Sequence, residues 1–340
     1  MESNRSEILR QRDLEEGWGL LEALNADGHL LRRVHTLGTE TVYQGINERR
    51  QRFLAFPIAI EETVQEDRRS VGLQLTATTL EERNKESRFL TITCGRAHLV
   101  DLFSIVVADI LEEIATSTLP LNMSCLRVLE RWREFLSLDK QPGLTREQMV
   151  GLFGELWILR ELCRRSPKAM DSWMGPSGHQ HDFLGRHVAL EVKSSITLQW
   201  RFPQINGIKQ LAAPQAQELY LSLLRLDIPE EGGETVRTLL TELSTLINDR
   251  HQLISQLSKI GIGPHELESL SQPRYEVTEH RMYLVDSDFP KITPSGFTGG
   301  DAPTGVQDIR YRIDLSGETP PALVDSGVDM VFDRLAHGSA

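Results

Sequence analysis

The chain has 340 residues, 39% hydrophobic and 25% charged, which places it among soluble globular proteins with room for about two domains. A formal net charge of −12 argues against a protein that coats nucleic acid without specificity, although a basic cleft can coexist with an acidic exterior. No run of about 18 apolar residues is present and the N-terminus, Met1 to Glu7, is polar, so neither a membrane span nor a signal peptide is expected; three scattered cysteines, Cys94, Cys125 and Cys163, fit reduced thiols in the cytoplasm.

After a short helical start, residues 1 to about 95 read as strands. Glu40 to Ile46, Phe53 to Ile58, Val71 to Thr78 and Arg88 to Cys94 carry β-branched and aromatic residues, with period-two alternation clearest in the third. Charged separators, Glu61 to Ser70 and Glu81 to Ser87, divide them. These strands predict a small antiparallel module with a structural or partner-docking role. From Ala97 to about Ala115 apolar residues recur at three and four, from Leu99 to Ile114, and a second helix fits Met123 to Leu138. Asp139 to Gly143 breaks the pattern and is the expected domain boundary, so 1–140 reads as a β-rich N-terminal module ending in helices.

Thr145-Arg146-Glu147-Gln148 reads as a capping box that opens a helix running to about Arg165. Glu155 falls at the edge of that helix's buried arc, where a carboxylate needs a partner. Arg160 is also placed towards the apolar arc, so an internal ion pair is one reading; the other is that Glu155 reaches a metal site. Gly151 and Gly154 each weaken the helix by about 1 kcal/mol relative to Ala and are taken as close contacts with a sheet.

The centre of the chain carries the chemistry. Residues 187 to 195 read as a strand, on which Ala189, Glu191 and Lys193 share one face while Val188, Leu190 and Val192 share the other. Gly185-Arg186 reads as a tight turn, and a hairpin there would return Asp182 to the side of Glu191. Two carboxylates and a lysine would then converge, the chemistry of a divalent-metal phosphodiesterase. His179 and His181 flank the site as cleft residues or, alternatively, zinc or manganese ligands. Trp173 and Trp200 suit the core or the rim better than stacking on bases.

Beyond the centre, Gln204 to Pro214 is expected as a helix start or turn, Glu218 to Leu226 as a buried strand, and Glu234 to Leu257 as one or two amphipathic helices. Tyr275 to Val285 and Val306 to Leu315 read as strands around a Pro/Gly-rich loop, and 317–340 as a loosely held tail.

Asp182, a gap, and Glu191-Val192-Lys193 resemble the signature of the PD-(D/E)XK nuclease superfamily, with His181 standing where the leading proline would be. Gly151-Leu152-Phe153-Gly154-Glu155-Leu156, Trp173-Met174-Gly175-Pro176, His181-Asp182-Phe183 and Glu191 to Ser195 together resemble a bacterial family of PD-(D/E)XK-motif proteins associated with restriction or phage-defence operons. The resemblance implies an α/β, restriction-endonuclease-like core over 141–316, a mixed sheet flanked by helices, and Mg²⁺-dependent DNA cleavage, with Mn²⁺ as an alternative ion. It implies Asp182, Glu191, Lys193 and Glu155 as catalytic, and Asp182, Glu191, the Val192 carbonyl and Glu155 as metal ligands. Ser194, Ser195, Gln210 and His181 are weaker candidates for substrate contact. DNA, other defence proteins and a second copy of the chain are the expected partners. An inactive nuclease-fold scaffold and an RNase are the alternatives.

Overall fold

The computed structural model describes residues 11–24, 28–37, 40–69, 72–82, 85–96, 99–136, 143–263, 266–267, 269–300 and 302–338. The expected element starts at Val71 and Ala97, the helix end at Leu138 and the break at 139–142 fall outside the described residues. The chain divides into two compact units: Met1–Gln141 with Gly261–Leu267, and Pro142–Ile260 with Glu268–Ala340.

In the first unit, α1 (Gln11–Ala23) precedes β1 (Leu30–Leu37), β2 (Glu40–Ile46), β3 (Arg52–Pro57), β4 (Leu73–Glu82) and β5 (Lys85–Cys94). They form an antiparallel sheet in the order β1-β2-β3-β5-β4, followed by α2 (Val100–Thr116) and α3 (Leu121–Leu136). Strand β1 has no counterpart in the sequence reading, because Arg32 and Arg33 interrupt its apolar pattern. Leu14, Trp18 and Leu21 recur at helical spacing and are buried. The Trp18 indole donates to Gly45 O at 3.2 Å, which ties α1 to the sheet.

In the second unit, α4 (Arg146–Arg165) starts on the expected capping box: Gln148 N donates to Thr145 Oγ1 at 3.2 Å and Thr145 N donates to Gln148 Oε1 at 2.9 Å. The strands are β6 (Phe183–Leu184), β7 (Val188–Ser195), β8 (Gln204–Asn206), β9 (Glu218–Asp227), β10 (Glu276–Leu284) and β11 (Arg310–Arg312). A mixed sheet has the order β10-β9-β7-β6, with β7 and β9 parallel and the outer pairs antiparallel. Helices α5 (Val236–Leu246) and α6 (Arg250–Lys259) lie between β9 and β10 in the chain. Ala189, Leu219, Leu221, Leu223 and Tyr283 pack into one core cluster, so the face of β7 that bears Glu191 and Lys193 is itself core.

One expectation over this unit is narrowed and one corrected. Of the two readings of Gln204 to Pro214, the turn is found and the helix start is not: strand β8 runs into bends and turns over 207–212. Ile205, Ile208 and Leu211 have helical spacing, but Gly207 adopts φ +96° and ends strand β8, in which Ile205 is buried between exposed Gln204 and Asn206. Nor is 317–340 a loose tail. It contains α7 (Asp325–His337), whose Val331, Phe332, Leu335 and Ala336 are buried. Phe332 stacks on His280 with ring centroids 6.0 Å apart, and Arg165 bonds Asp329 at 2.6 Å. The apolar spacing of 331, 332, 335 and 336 is one helical face, and its burial holds the helix down.

The two helix glycines part company. A Cβ on Gly154 would overlap Ser194 Oγ and lie 2.9 Å from Ser194 Cβ, so this glycine is where α4 meets β7. Nothing lies within 4 Å of the same position on Gly151, which is therefore not the sheet contact expected of it. Gly154→Ala is expected to destabilise the protein by about 1–3 kcal/mol through overpacking. Gly151→Ala is expected to stabilise it by about 0.5–1 kcal/mol through helix propensity. Urea unfolding of the two variants checks both; equal effects would contradict the contact.

Candidate active site

The β6–β7 hairpin forms as its turn predicts: Phe183 pairs with Leu190, Leu184 with Ala189, and Gly185 N donates to Val188 O at 2.8 Å. Pairing stops at Phe183, which leaves the β7 edge beyond Leu190 open to side chains. Asp182 occupies it, its Oδ2 accepting from Val192 N at 2.7 Å. The N–H and C=O of one strand residue point to the same side, so the Val192 carbonyl faces this edge too. Across the chain, Met174 N and Gly175 N donate to Asp182 O at 2.7 and 3.1 Å. These bonds fix the Trp173–Gly175 segment beside Asp182.

Glu155 enters from α4. The Trp173 indole donates to its Oε2 at 2.8 Å, and a Cβ on Gly175 would overlap that same oxygen. Gly175 is thus a cradle for the carboxylate. The internal ion pair with Arg160 is not formed: Arg160 bonds Glu234 and, at 3.2 Å, Glu242. Lys193 Nζ lies 2.8 Å from Glu191 Oε1, while Glu191 Oε2 is buried with no hydrogen-bond partner among the described residues.

Charge couples the four groups. Burial, with Asp182 nearby, pushes the Glu155 carboxyl up to about 8, against the Trp173 hydrogen bond and Lys193. Burial raises Asp182 above its ordinary value, opposed by Lys193 and the Val192 N–H. Glu191 is driven well above the carboxylate range by burial and by Asp182, with Glu155 adding to the effect. Burial by itself would lower Lys193, but Glu191, Asp182 and Glu155 outweigh it and hold the ammonium charged. With no cation bound, burial and mutual repulsion favour the neutral forms of these carboxyls; a divalent cation among them would favour the ionised forms.

The donors are all oxygens, the set a hard cation prefers. The unpartnered Glu191 Oε2 and the Gly175 cradle fit a group that the protein does not itself supply. Among the described residues, however, no three His, Cys, Asp or Glu side chains stand together as a metal-ligand group. Each carboxylate is turned to a protein partner: Glu155 to Trp173, Asp182 to Val192 N–H, Glu191 to Lys193. The tight four-group trap expected from the sequence is therefore an acid cluster whose members must swing to share one ion.

The weaker candidates separate from this cluster. His181 is 2% exposed and bonds the backbone of Gln210 and Ala212; burial, opposed by those bonds, holds its pKa below the ordinary value. Gln210 accepts from Asn206 N at 2.8 Å and closes the turn after β8. Ser194 faces Gly154 of α4, and Ser195 Oγ accepts from Thr197 N at 3.1 Å in a local turn. Trp173 and Trp200 are both buried. The role of Trp173 as the donor that holds Glu155 went unseen in the sequence, where only its place in Trp173-Met174-Gly175-Pro176 marked it.

Lys193 also lines a groove of about 540 Å³ with Arg146, Ser195, Gln199, Asn206 and Arg312. An acid–gap–acid–x–lysine set on a mixed sheet, backed by a helix carrying a third acid, defines a nuclease-like α/β fold of the PD-(D/E)XK class. The chain belongs to the family described as "Putative PD-(D/E)XK family member, (DUF4420)", whose model matches residues 14–316. Comparisons with curated proteins and with solved structures gave no match. Among the described residues no helix is long and apolar enough to cross a membrane.

Proposed function

We propose that the chain is a metal-dependent endonuclease that hydrolyses phosphodiester bonds in DNA. The observation that carries this reading is the buried cluster of Asp182, Glu191 and Glu155 around Lys193, with one Glu191 oxygen unpartnered among the described residues. Asp182, Glu191 and the Val192 carbonyl would hold Mg²⁺ or Mn²⁺, with Glu155 completing the set. A divalent cation there supplies Lewis-acid polarisation of a phosphoryl oxygen and a water of lowered pKa. Lys193 acts as a fixed positive charge: its raised pKa keeps the ammonium protonated, so it stabilises charge growing on phosphoryl oxygens rather than taking a proton. Glu155, held by Trp173 and seated on Gly175, orients the ligand set from the helix side.

The finer assignments follow from this site. A restriction or phage-defence setting is supported by the resemblance across 151–195. Double-strand cleavage by a chain with one such site calls for two copies acting together. The test uses the full chain with supercoiled DNA and a matched RNA, in Mg²⁺, Mn²⁺ or EDTA. Nicking of the DNA with either metal and its loss in EDTA are expected. Cleavage of RNA alone would transfer the reading to an RNase, and no cleavage of either with an intact defence phenotype would leave a scaffold.

A further inference from the structure

The groove beside Lys193 has a second wall that the catalytic cluster does not use: the two-stranded ribbon of β8 and β11. Its register pairs Arg310 with Asn206, Tyr311 with Ile205 and Arg312 with Gln204. Alternation puts Ile205 and Tyr311 inward, where they join the core cluster of the unit. Arg310, Arg312, Gln204 and Asn206 are all exposed on the outer face.

The ribbon is anchored well beyond its three pairs. Gly207 N donates to Ile309 O at 2.8 Å, Ile313 N to Pro203 O at 3.2 Å and Leu315 N to Arg201 O at 2.9 Å. The Tyr311 hydroxyl donates to Ile292 O at 3.2 Å and accepts from Ile292 N at 3.0 Å. Arg312 is held in place: its Nε donates to Phe202 O at 3.3 Å, its Nη2 to Gln199 Oε1 at 3.2 Å, and its guanidinium lies 5.7 Å from the Phe202 ring centroid. Those two bonds use two of the five N–H groups an arginine carries. Arg146 brings further positive charge to the same groove, where Lys193 is paired with Glu191 and Glu147 is the acid among the lining residues. In a protein of net charge −12 this is a concentration of cations in the wrong place for a merely solvated surface.

We infer that the β8–β11 ribbon is the element that reads duplex DNA, lying in the major groove with Arg310 and Arg312 on one strand and Gln204 and Asn206 opposite. A major groove admits a two-stranded ribbon, and its base edges are read by arginine on guanine and by asparagine or glutamine on adenine. Two arginines two residues apart on a strand are separated by about 6.8 Å, the rise of two base steps of about 3.4 Å. The ribbon is a rigid platform, which suits specific contact better than a loop would. It shares a groove with Lys193, so a duplex read by the ribbon presents its backbone to the site. This inference rests on the endonuclease reading only for its substrate class.

The experiment measures binding of the full chain to 30-base-pair duplexes by fluorescence anisotropy in EDTA, across a salt series, beside cleavage in Mg²⁺. Arg310→Ala with Arg312→Ala is expected to weaken duplex binding at least tenfold and to relax sequence preference, with little change in the slope of log affinity against log salt. Gln204→Ala with Asn206→Ala is expected to alter sequence preference with a smaller loss of affinity. Glu191→Gln is expected to abolish cleavage and leave binding intact. The four ribbon positions are exposed, and circular dichroism with a thermal melt confirms that each variant, the buried Glu191→Gln included, is folded. Wild-type affinity and sequence preference in the folded arginine variant would overturn the inference, as would a wild-type chain that binds no duplex. Tighter binding to duplex RNA than to duplex DNA would also overturn it, since the A-form major groove is too deep and narrow for a ribbon. Ribbon-dependent binding without cleavage would sink the endonuclease reading alone, and cleavage that depends on Lys193 but not on the ribbon would sink this inference alone.

Discussion

Glu191→Gln is expected to lower phosphodiester cleavage by at least about 100-fold while raising, not lowering, the melting temperature in EDTA. The two effects share one cause. The Glu191 carboxyl is fully buried beside Asp182, and its pKa is driven well above the ordinary range, so the fold prefers it neutral. Glutamine is the neutral isostere: it can accept from Lys193 where Oε1 does, and it takes one of the three buried acids out of their mutual repulsion. The same substitution removes the negative oxygen that a cation needs. The sign with pH follows from linkage. A carboxyl whose folded pKa lies above its unfolded value stabilises the fold at low pH and loses that contribution as pH rises through the folded value. For Glu155 that value is about 8, so the wild-type melting temperature in EDTA should fall as pH rises from about 5 to 8, and the fall should be shallower in Glu191→Gln. Addition of Mg²⁺ should restore stability to the wild type at pH 8, by RT ln(1 + [Mg²⁺]/Kd), about 2.7 kcal/mol at a hundredfold excess over Kd. Calorimetry in EDTA and in Mg²⁺ reads all of this. A variant that still cuts, or one whose melting temperature drops by several degrees, would mean that Glu191 is there to hold the sheet together.

Protonation of His280 should work against the fold in acid, opposite in sign to the buried carboxyls. The ring sits between Trp157 and Phe332, with centroids 5.7 and 6.0 Å away, and its Nε2 is 2.9 Å from Ser222 Oγ. Burial, opposed by Asp325, lowers its pKa from the ordinary 6.5 to about 4. A histidine whose folded pKa is depressed contributes stability that is complete above about 6.5 and is lost as pH falls towards 4, because the unfolded chain takes up the proton first. The difference corresponds to about 3 kcal/mol, a large share of the 5–15 kcal/mol that holds a typical domain. Urea titrations at pH 7.0 and 4.5 should show His280→Gln, which keeps a partner for Ser222 and cannot titrate in this range, gaining on the wild type by about 2 kcal/mol at the lower pH. Equal pH dependence in the two proteins would assign the acid sensitivity elsewhere.

The hairpin that delivers Asp182 to β7 was legible because every signal for it is local. Gly185-Arg186 supplies the turn, Phe183-Leu184 supplies two paired residues, and the alternation along Val188 to Ser195 settles which side chains travel together. The helix carrying Glu155 was equally plain, since Thr145 and Gln148 cap it in sequence. Long-range partners were not legible. Nothing local says that Glu155 is held by an indole 18 residues away, or that Arg160 turns to Glu234 and Glu242 on and beside α5. The ribbon was missed for a related reason. Three residues of β8 are too few to show a period, and its partner strand lies about a hundred residues later in the chain.

The sequence by itself therefore determined the types of element, the acid–gap–acid–x–lysine order and the family. These depend on side-chain period, turn chemistry and residue identity, all of which act over a few positions. The tertiary structure alone decided that both faces of β7 are core, that α7 is docked, that three acids are desolvated against one lysine, and that Arg146 and Arg312 line one groove with that lysine. Burial and field are sums over atoms that are distant in the chain, and only folding brings those atoms within range.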